Sequence, residues 1–307
     1  MRPGLVLPVV IHRPWFDLRE ADIAARAIQF GTVGAPISTP PKPGGSVGAV
    51  QRLAELGLGA LELGWVQSVR VKEETCEAIR AEAQRSGVRI SVHAPYYINL
   101  NASKEEWPKS RKRLMDAARY GNLAGASDII FHPGSYLGLP PAKALAVAIP
   151  RLRKCVEELL GDGNPVTLRP ETMGKRGMLG SLEDVLEMAR EVEGVQPCLD
   201  ASHLHARTGD GSLNSTDEWR EVLRSYKKAL GAASLRRLHI HLSGIEYTEK
   251  GERRHLPMAE SDFDLKGFLR ALVESGCRGR IVCESPVMEQ DALLFQNTWD
   301  RLARKKG

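Results

Sequence analysis

Six side chains able to bind a metal ion stand at the ends of short apolar runs: His93, His132, Glu171, Asp200, His241 and Glu284. Their successive separations are 39, 39, 29, 41 and 43 residues. A lone His or Asp at such a place is more often an ordinary hydrogen-bonding group than a ligand. Six recurring together are different, because three imidazoles and three carboxylates drawn to one point repel, or lie buried without partners, unless a cation compensates them. Mixed nitrogen and oxygen donors suit zinc first, with manganese or iron also compatible. Two more histidines extend the set: His203 in Asp200-Ala201-Ser202-His203 and His255 in Glu252-Arg253-Arg254-His255. Eight candidate ligands exceed the needs of one ion, so two or three ions are expected. Paired metals are the usual device for in-line attack on a phosphodiester.

The elements that must position these groups follow from hydrophobic periodicity. Strands are predicted at Phe30 to Gly34, Ala60 to Leu63, Arg89 to His93, Asp128 to His132, Val166 to Glu171, Pro197 to Asp200, Leu238 to Leu242 and Arg280 to Glu284. Helical spacing is carried by Lys72 to Arg85, Lys104 to Ala124, Ala142 to Leu160, Leu182 to Glu191, Asp217 to Leu230 and Leu265 to Ser275. Ser103, Ser181 and Thr216 precede acidic first turns and read as N-caps. One strand and one helix take about 30 to 40 residues in a (β/α)8 barrel, the period at which the ligand types recur, and the active site of that α/β fold lies at the rim where its strands end. A doubly wound open sheet is the competing architecture, but it gives no reason for the recurrence. Residues 1–27 read as an extension, with a helix from Leu18 to Ala27, and 28–307 as a single barrel domain. Pro36 to Gly45 reads as a long first loop.

Composition bounds the rest. With 307 residues, 42% hydrophobic and 26% charged, the chain is neither disordered nor fibrous. The net charge of +5 permits a polyanionic partner without requiring one. No apolar run approaches the roughly 18 residues of a spanning helix, so no membrane partner and a cytoplasmic location are expected, and a monomer with them. Cys76, Cys155, Cys198, Cys277 and Cys283 form no CxxC pair and read as reduced thiols.

Several blocks together resemble a known family: His93-Ala94-Pro95-Tyr96-Tyr97-Ile98-Asn99-Leu100, Phe131-His132-Pro133-Gly134-Ser135, Glu171-Thr172, Cys198-Leu199-Asp200-Ala201-Ser202-His203, His241-Leu242-Ser243 and Glu284-Ser285-Pro286. In content and order they are similar to the endonuclease IV group of apurinic/apyrimidinic endonucleases, within the xylose-isomerase-like barrels. The resemblance implies a trinuclear zinc site that cleaves double-stranded DNA on the 5′ side of abasic sites through a metal-bound hydroxide. It implies that His93, His132 and Glu171 hold one zinc, that Glu171, Asp200, His241 and Glu284 hold a second, and that His203 and His255 contribute to a third. Glu171 and Glu284 would orient the hydroxide, with Tyr96 near the phosphate. Arg70, after the second strand, matches a loop that the family inserts into DNA.

One position departs from the pattern. The family places an aspartate two residues before the histidine matching His255, and this chain has Arg253 there. Glu252 could swing in, water could complete the shell, or a guanidinium of Arg253 or Arg254 could neutralise phosphate in place of a third ion. Two other readings compete with the nuclease. One is a sugar isomerase or epimerase using a single Mn²⁺ or Mg²⁺ held by Glu171, Asp200, His241 and Glu284; the other is a nucleic-acid-binding relative that no longer cleaves. His12 and His205 are left outside the site. His239, one layer below His241, reads as an outer hydrogen-bond donor or a core polar group.

Overall fold

The computed structural model describes residues 27–304. Nearly all of the predicted extension, including His12 and the helix from Leu18, lies outside the described residues, as do Lys305 and Lys306. The eight predicted strands are all present: β1 (Ile28–Val33), β2 (Ala60–Gly64), β3 (Arg89–His93), β4 (Ala126–Phe131), β5 (Thr167–Pro170), β6 (Cys198–Asp200), β7 (Leu238–Leu242) and β10 (Gly279–Cys283). Every pairing among them is parallel, in the order β5-β4-β3-β2-β1-β10-β7-β6. Parallel bridges from Leu168 to Val195 and from Glu171 to Cys198 join the two ends. The chain is a (β/α)8 barrel.

The helices are α1 (Gly45–Glu55), α2 (Glu73–Ser86), α3 (Trp107–Leu123), α4 (Pro141–Gly161), α5 (Leu182–Glu191), α6 (Ala201–Thr208), α7 (Thr216–Leu230), α8 (Leu265–Glu274) and α9 (Glu289–Arg304). Ser181 caps α5 with a reciprocal bond to Asp184, as predicted. For α7 the cap is Ser215 rather than Thr216, because Glu218 is placed to close the box with Ser215. Ser103 accepts from Glu106 N–H in a turn that precedes α3 rather than at its first residue. The predicted first loop ends where α1 begins. No helix among the described residues is long and apolar enough to cross a membrane.

Strand burial follows the architecture. All five residues of β7 are buried, since helices cover one face and the barrel interior fills the other. Aromatic side chains such as Phe30, Phe131, Phe268 and Phe295 are fully buried. The interior itself is polar. Asp128 accepts from Arg169 Nε, and from Arg280 Nη2 at 2.6 Å. Arg169 also donates to the Pro197 and Arg237 carbonyls at 2.8 and 3.0 Å. These three charged groups, all under 8% exposed, fill the N-terminal end of the barrel.

An antiparallel hairpin absent from the sequence reading, β8 (Gly244–Thr248) and β9 (Gly251–Leu256), rises from the end of β7. It stands beside the short helix α6, which was also unpredicted, and together they form one wall of the rim.

Candidate metal centre

Parallel strands in near register put their C-terminal residues on one rim. His93 and Asp200 are the last residues of β3 and β6, and His132 and Glu284 each follow the last residue of their strand. His241 is one short of the end of β7, and Glu171 follows β5. The structure brings all six together. Glu171 is completely buried at their centre. Its Oε2 stands 3.2 Å from His93 Nε2 and 3.4 Å from His132 Nε2, and its Oε1 stands 3.2 Å from His203 Nδ1 and 3.4 Å from His241 Nδ1. Glu284 Oε1 lies 3.6 Å from His241 Nδ1.

The Asp200 to His203 spacing has a local cause. Asp200 caps α6, its Oδ1 accepting from His203 N–H at 2.6 Å, so the first helical turn carries His203 back over the rim. The other oxygen, Oδ2, is left facing the cluster. His255 arrives from β9, its Nε2 3.3 Å from His203 Nε2.

Among the described residues, donor atoms close enough to share an ion fall into five groups, three of which join the predicted ligands: His93, His132 and Glu171; Glu171, Asp200, His241 and Glu284; and Asp200, His203 and His255; the other two are Glu62, His93 and His241, and Cys198, His239 and His241. The buried oxygens Glu171 Oε2 and Asp200 Oδ2 have no hydrogen-bond partner. His93 Nδ1–H, assigned from the acceptor it faces, donates to the Ala94 carbonyl at 2.9 Å, which turns the lone pair of Nε2 on Glu171. A lone pair facing a carboxylate oxygen inside a barrel needs a proton or a metal ion between them. This donor set fits divalent cations.

The same competition appears in the electrostatics. Burial alone would lower the His93, His203 and His241 pKa values. Yet each is raised, His93 by Glu171, His203 chiefly by Asp200 and then Glu171, and His241 by the carboxylates of Glu284, Glu62 and Glu171, the neighbouring Cys198 thiol being neutral. His132 goes the other way, because burial outweighs Glu171. Burial would raise Glu171, but His241 and His132 hold it well below the usual carboxylate range. Without a metal the cluster collects protons, and ligation would release them.

Glu62 is the group the sequence reading missed. It is completely buried on β2, accepts from Ser91 Oγ at 2.8 Å, and stands 2.9 Å from both His239 Nε2 and His241 Nε2. A glutamate inside Ala60-Leu61-Glu62-Leu63-Gly64 was the available signal. His239 thus joins the layer beneath the cluster. Tyr96, half exposed, stacks on His132 with ring centroids 4.9 Å apart and meets His93 edge-on. Partial burial, with Glu284 and Glu171 nearby, pushes its hydroxyl pKa up to about 12.

Other groups lie apart. The register of the hairpin shifts so that Tyr247 pairs with Glu252 and Glu246 with Arg254, leaving Arg253 as an extra residue in a bulge. Arg253 and Arg254 both reach Glu246, at 2.6 Å each, and are mostly exposed. They are not brought to the cluster, because the bulge turns both to the same outer face. Arg70 is exposed beyond β2. Arg207 donates to the Met173 and Lys175 carbonyls and Arg176 to the Arg207 and Thr208 carbonyls, so both guanidinium groups tie rim loops together. His205 is paired with Asp262 at 3.0 Å, away from the centre. Burial pushes the Cys198 and Cys283 thiols up, which keeps them protonated.

The fold and this constellation have counterparts. Residues 50–305 match the model of the family described as xylose isomerase-like TIM barrel. The chain belongs to that family. It is 36% identical over 278 residues to uncharacterized protein MJ0133 of Methanocaldococcus jannaschii, covering 89% of this chain and 97% of that one. It is 25% identical over 206 residues to a probable endonuclease 4 of Bacillus subtilis, covering 64% of this chain and 66% of that one. Among solved structures, endonuclease IV from Thermus thermophilus superposes with a TM-score of 0.66 at 21% identity, covering 89% and 99% of the two chains. A D-tagatose 3-epimerase-like protein superposes with a TM-score of 0.68 at 18% identity, covering 91% and 100%. At these identities the structural likeness is one of fold. Within the xylose isomerase-like family, the endonuclease IV resemblance read from the motif blocks is supported by the relatives found.

Proposed function

We propose that this member of the xylose isomerase-like family is a divalent-metal-dependent phosphodiesterase of the endonuclease IV type, nicking double-stranded DNA 5′ to abasic sites. The observation that carries this reading is the meeting of His93, His132, His203 and His255 around the four-residue core of Glu171, Asp200, His241 and Glu284. A single-metal isomerase needs only that core. The additional imidazoles supply donors for a second and third ion, and zinc suits the set best.

A bound divalent cation supplies positive charge against phosphoryl oxygens and favours ionisation of water near neutral pH. The remaining steps belong to the chain. Glu171, already touching four imidazoles, would hold the ligand array at a fixed spacing. Glu284, 11% exposed and facing the mouth, would orient the attacking water and accept its proton. Tyr96, protonated at neutral pH, would donate its hydroxyl to a non-bridging phosphate oxygen. The exposed cations Arg70, Arg253 and Arg254 remain candidates for the flanking backbone, away from the reacting phosphate.

Incision of a duplex containing a synthetic abasic residue tests the reading. Nicking on its 5′ side that is lost with chelator and restored by zinc is the expected result. A second reading, a sugar epimerase using the four-residue core, draws on the likeness in fold to the D-tagatose 3-epimerase-like protein. Epimerisation of a ketose without any nicking would replace the first reading with the second.

A further inference from the structure

The hairpin of β8 and β9 is two-stranded, and a hairpin of that kind is marginal in water unless it packs against something else. It packs against α6, and a single carboxylate sits at the junction. Asp262, in the short strap 261–264 before α8, accepts from the Tyr247 hydroxyl of β8 through Oδ2 at 2.6 Å. Its Oδ1 stands 3.0 Å from Nε2 of His205 on α6. The Tyr247 ring meets the His205 ring edge-on, with centroids 5.0 Å apart.

Each end of this bridge is itself held. His205 is fully buried, its Nδ1 2.8 Å from the Leu213 carbonyl. The strap is fixed through its backbone: Asn214 Nδ2 donates to the Asp262 carbonyl at 2.8 Å, and Asp264 N–H donates to Asn214 Oδ1 at 2.6 Å. Ser261 Oγ accepts from Ile245 N–H of β8 at 3.1 Å. The chain leaving α6 passes close against the hairpin. Gly209 and Gly211 are both left-handed, and a Cβ on them would lie 2.8 Å from the Glu249 carbonyl oxygen and 2.8 Å from the Tyr247 hydroxyl, so only glycine permits the approach.

The junction backs directly onto the rim. Residues two apart on a helix lie about 200° around its axis, so α6 presents His203 to the cluster on one side and is gripped at His205 on the other. On the hairpin, Ile245 pairs with His255, and residues paired across an antiparallel ladder share a face. Ile245 and Tyr247, two apart on β8, share that face as well. Tyr247 and His255 therefore both point at α6, and whatever holds Tyr247 there holds His255 at the mouth.

We propose that Asp262 is a positioning residue that fastens the hairpin to α6 and so sets where the hairpin face bearing His255 stands at the rim. Its two oxygens take one contact from each element, and the hairpin cannot swing outward without breaking one of them. The effect on catalysis rests on the reading given under Proposed function; the fastening does not.

Amide hydrogen exchange on the full chain reads the fastening directly, without metal or substrate. In Asp262→Ala the amides of β8 and β9 should exchange roughly tenfold to a hundredfold faster than in the wild type, the effect of losing two hydrogen bonds, while those of β3 and β7 stay unchanged. Tyr247→Phe removes one bond and keeps the ring on His205, so its increase should be smaller. Asp262→Asn should stay near the wild type, because its amide can accept from Tyr247 and donate to Nε2 of His205. Circular dichroism of each variant separates loosening from unfolding. Nicking of an abasic duplex at saturating zinc gives the second readout: Asp262→Ala should lower kcat on the order of tenfold with KM little changed, and Asp262→Asn should restore it. A role in stability alone would leave both constants unchanged in the folded protein. Unaltered exchange of the hairpin in Asp262→Ala would overturn the proposal, and so would faster exchange with an undiminished kcat. If exchange rises as expected but the wild type itself does not nick, the nuclease reading falls and the fastening stands.

Discussion

Glu62 Oε1 stands 2.9 Å from His241 Nε2, with both groups fully buried on the barrel axis. With Glu62 beneath that nitrogen, Nδ1 is the one turned to Glu171 and Glu284. A carboxylate behind a ligating imidazole fixes the ring and raises its basicity. Glu62→Gln should therefore weaken zinc binding by about 10–100-fold while the fold is retained. Competitive titration against a chromogenic chelator measures this, and an unchanged affinity would remove Glu62 from the metal centre.

Glu171 is the neighbour common to four imidazoles, so its neutralisation should be the most damaging single change at the rim. Glu171→Gln is expected to reduce nicking on the order of 1,000-fold and to lower the bound metal count. A variant that keeps its ions and cleaves at near wild-type rate would show that Glu171 is merely a buried acceptor.

Removing the metals should destabilise the protein, because ions that bind only the folded state add to its stability. An ion present at 100 times its Kd contributes about 2.7 kcal/mol. For a barrel of this size the melting temperature should drop by roughly 5–10 °C on chelation and recover with zinc. Coincident melts with and without chelator would contradict a metal centre.

Tyr96 keeps its proton at neutral pH, its hydroxyl being pushed up to about 12. Loss of that donor in Tyr96→Phe should cost about 0.5–1.5 kcal/mol of transition-state binding, a several-fold fall in kcat/KM. The metal content should not change. A loss of ions in this variant would mean that the ring acts through His132 and His93 instead.

Asp128 sets an acid limit on folding. Burial opposes its charge, but Arg169 and Arg280 outweigh burial and hold the carboxyl well below its ordinary value of 3.8. A depressed carboxyl pKa contributes stability that is present above the unfolded value and lost as pH falls toward the folded one. Urea unfolding should accordingly weaken below about pH 4. Asp128→Asn should cost about 3–5 kcal/mol at pH 7, because it leaves two buried guanidinium groups without their counter-charge. The same variant should flatten the acid limb, and a limb that stays steep would assign it to other carboxylates.

The sequence exposed the barrel and its rim more fully than its walls. β3 and β7 fall on the predicted residues, because both alternate apolar and polar side chains over five positions. The six strand-end ligand types were legible because the repeat unit fixes their spacing. The hairpin of β8 and β9 was not, since Glu246, Glu252, Arg253 and Arg254 give it the polarity of a loop, and its bulge breaks the alternation that marks a strand. α6 hid behind Asp200, which is both the end of β6 and the cap of the helix. α1 escaped notice because Gly45 and Gly48 lower its helix propensity. Glu62 was invisible for a different reason: a single acid in an apolar strand reads as a strand with one outward-facing residue, and only closure of the barrel shows that it points in.

The Arg169, Asp128 and Arg280 plug closes one end of the barrel. Its far end is filled by charged side chains hydrogen-bonded to one another and to the Pro197 and Ile90 carbonyls, so the rim of strand ends is the open approach to the cluster. If the proposed function holds, a duplex seated over that mouth would trap whatever cations lie beneath it, and metal exchange would then have to wait for substrate to leave.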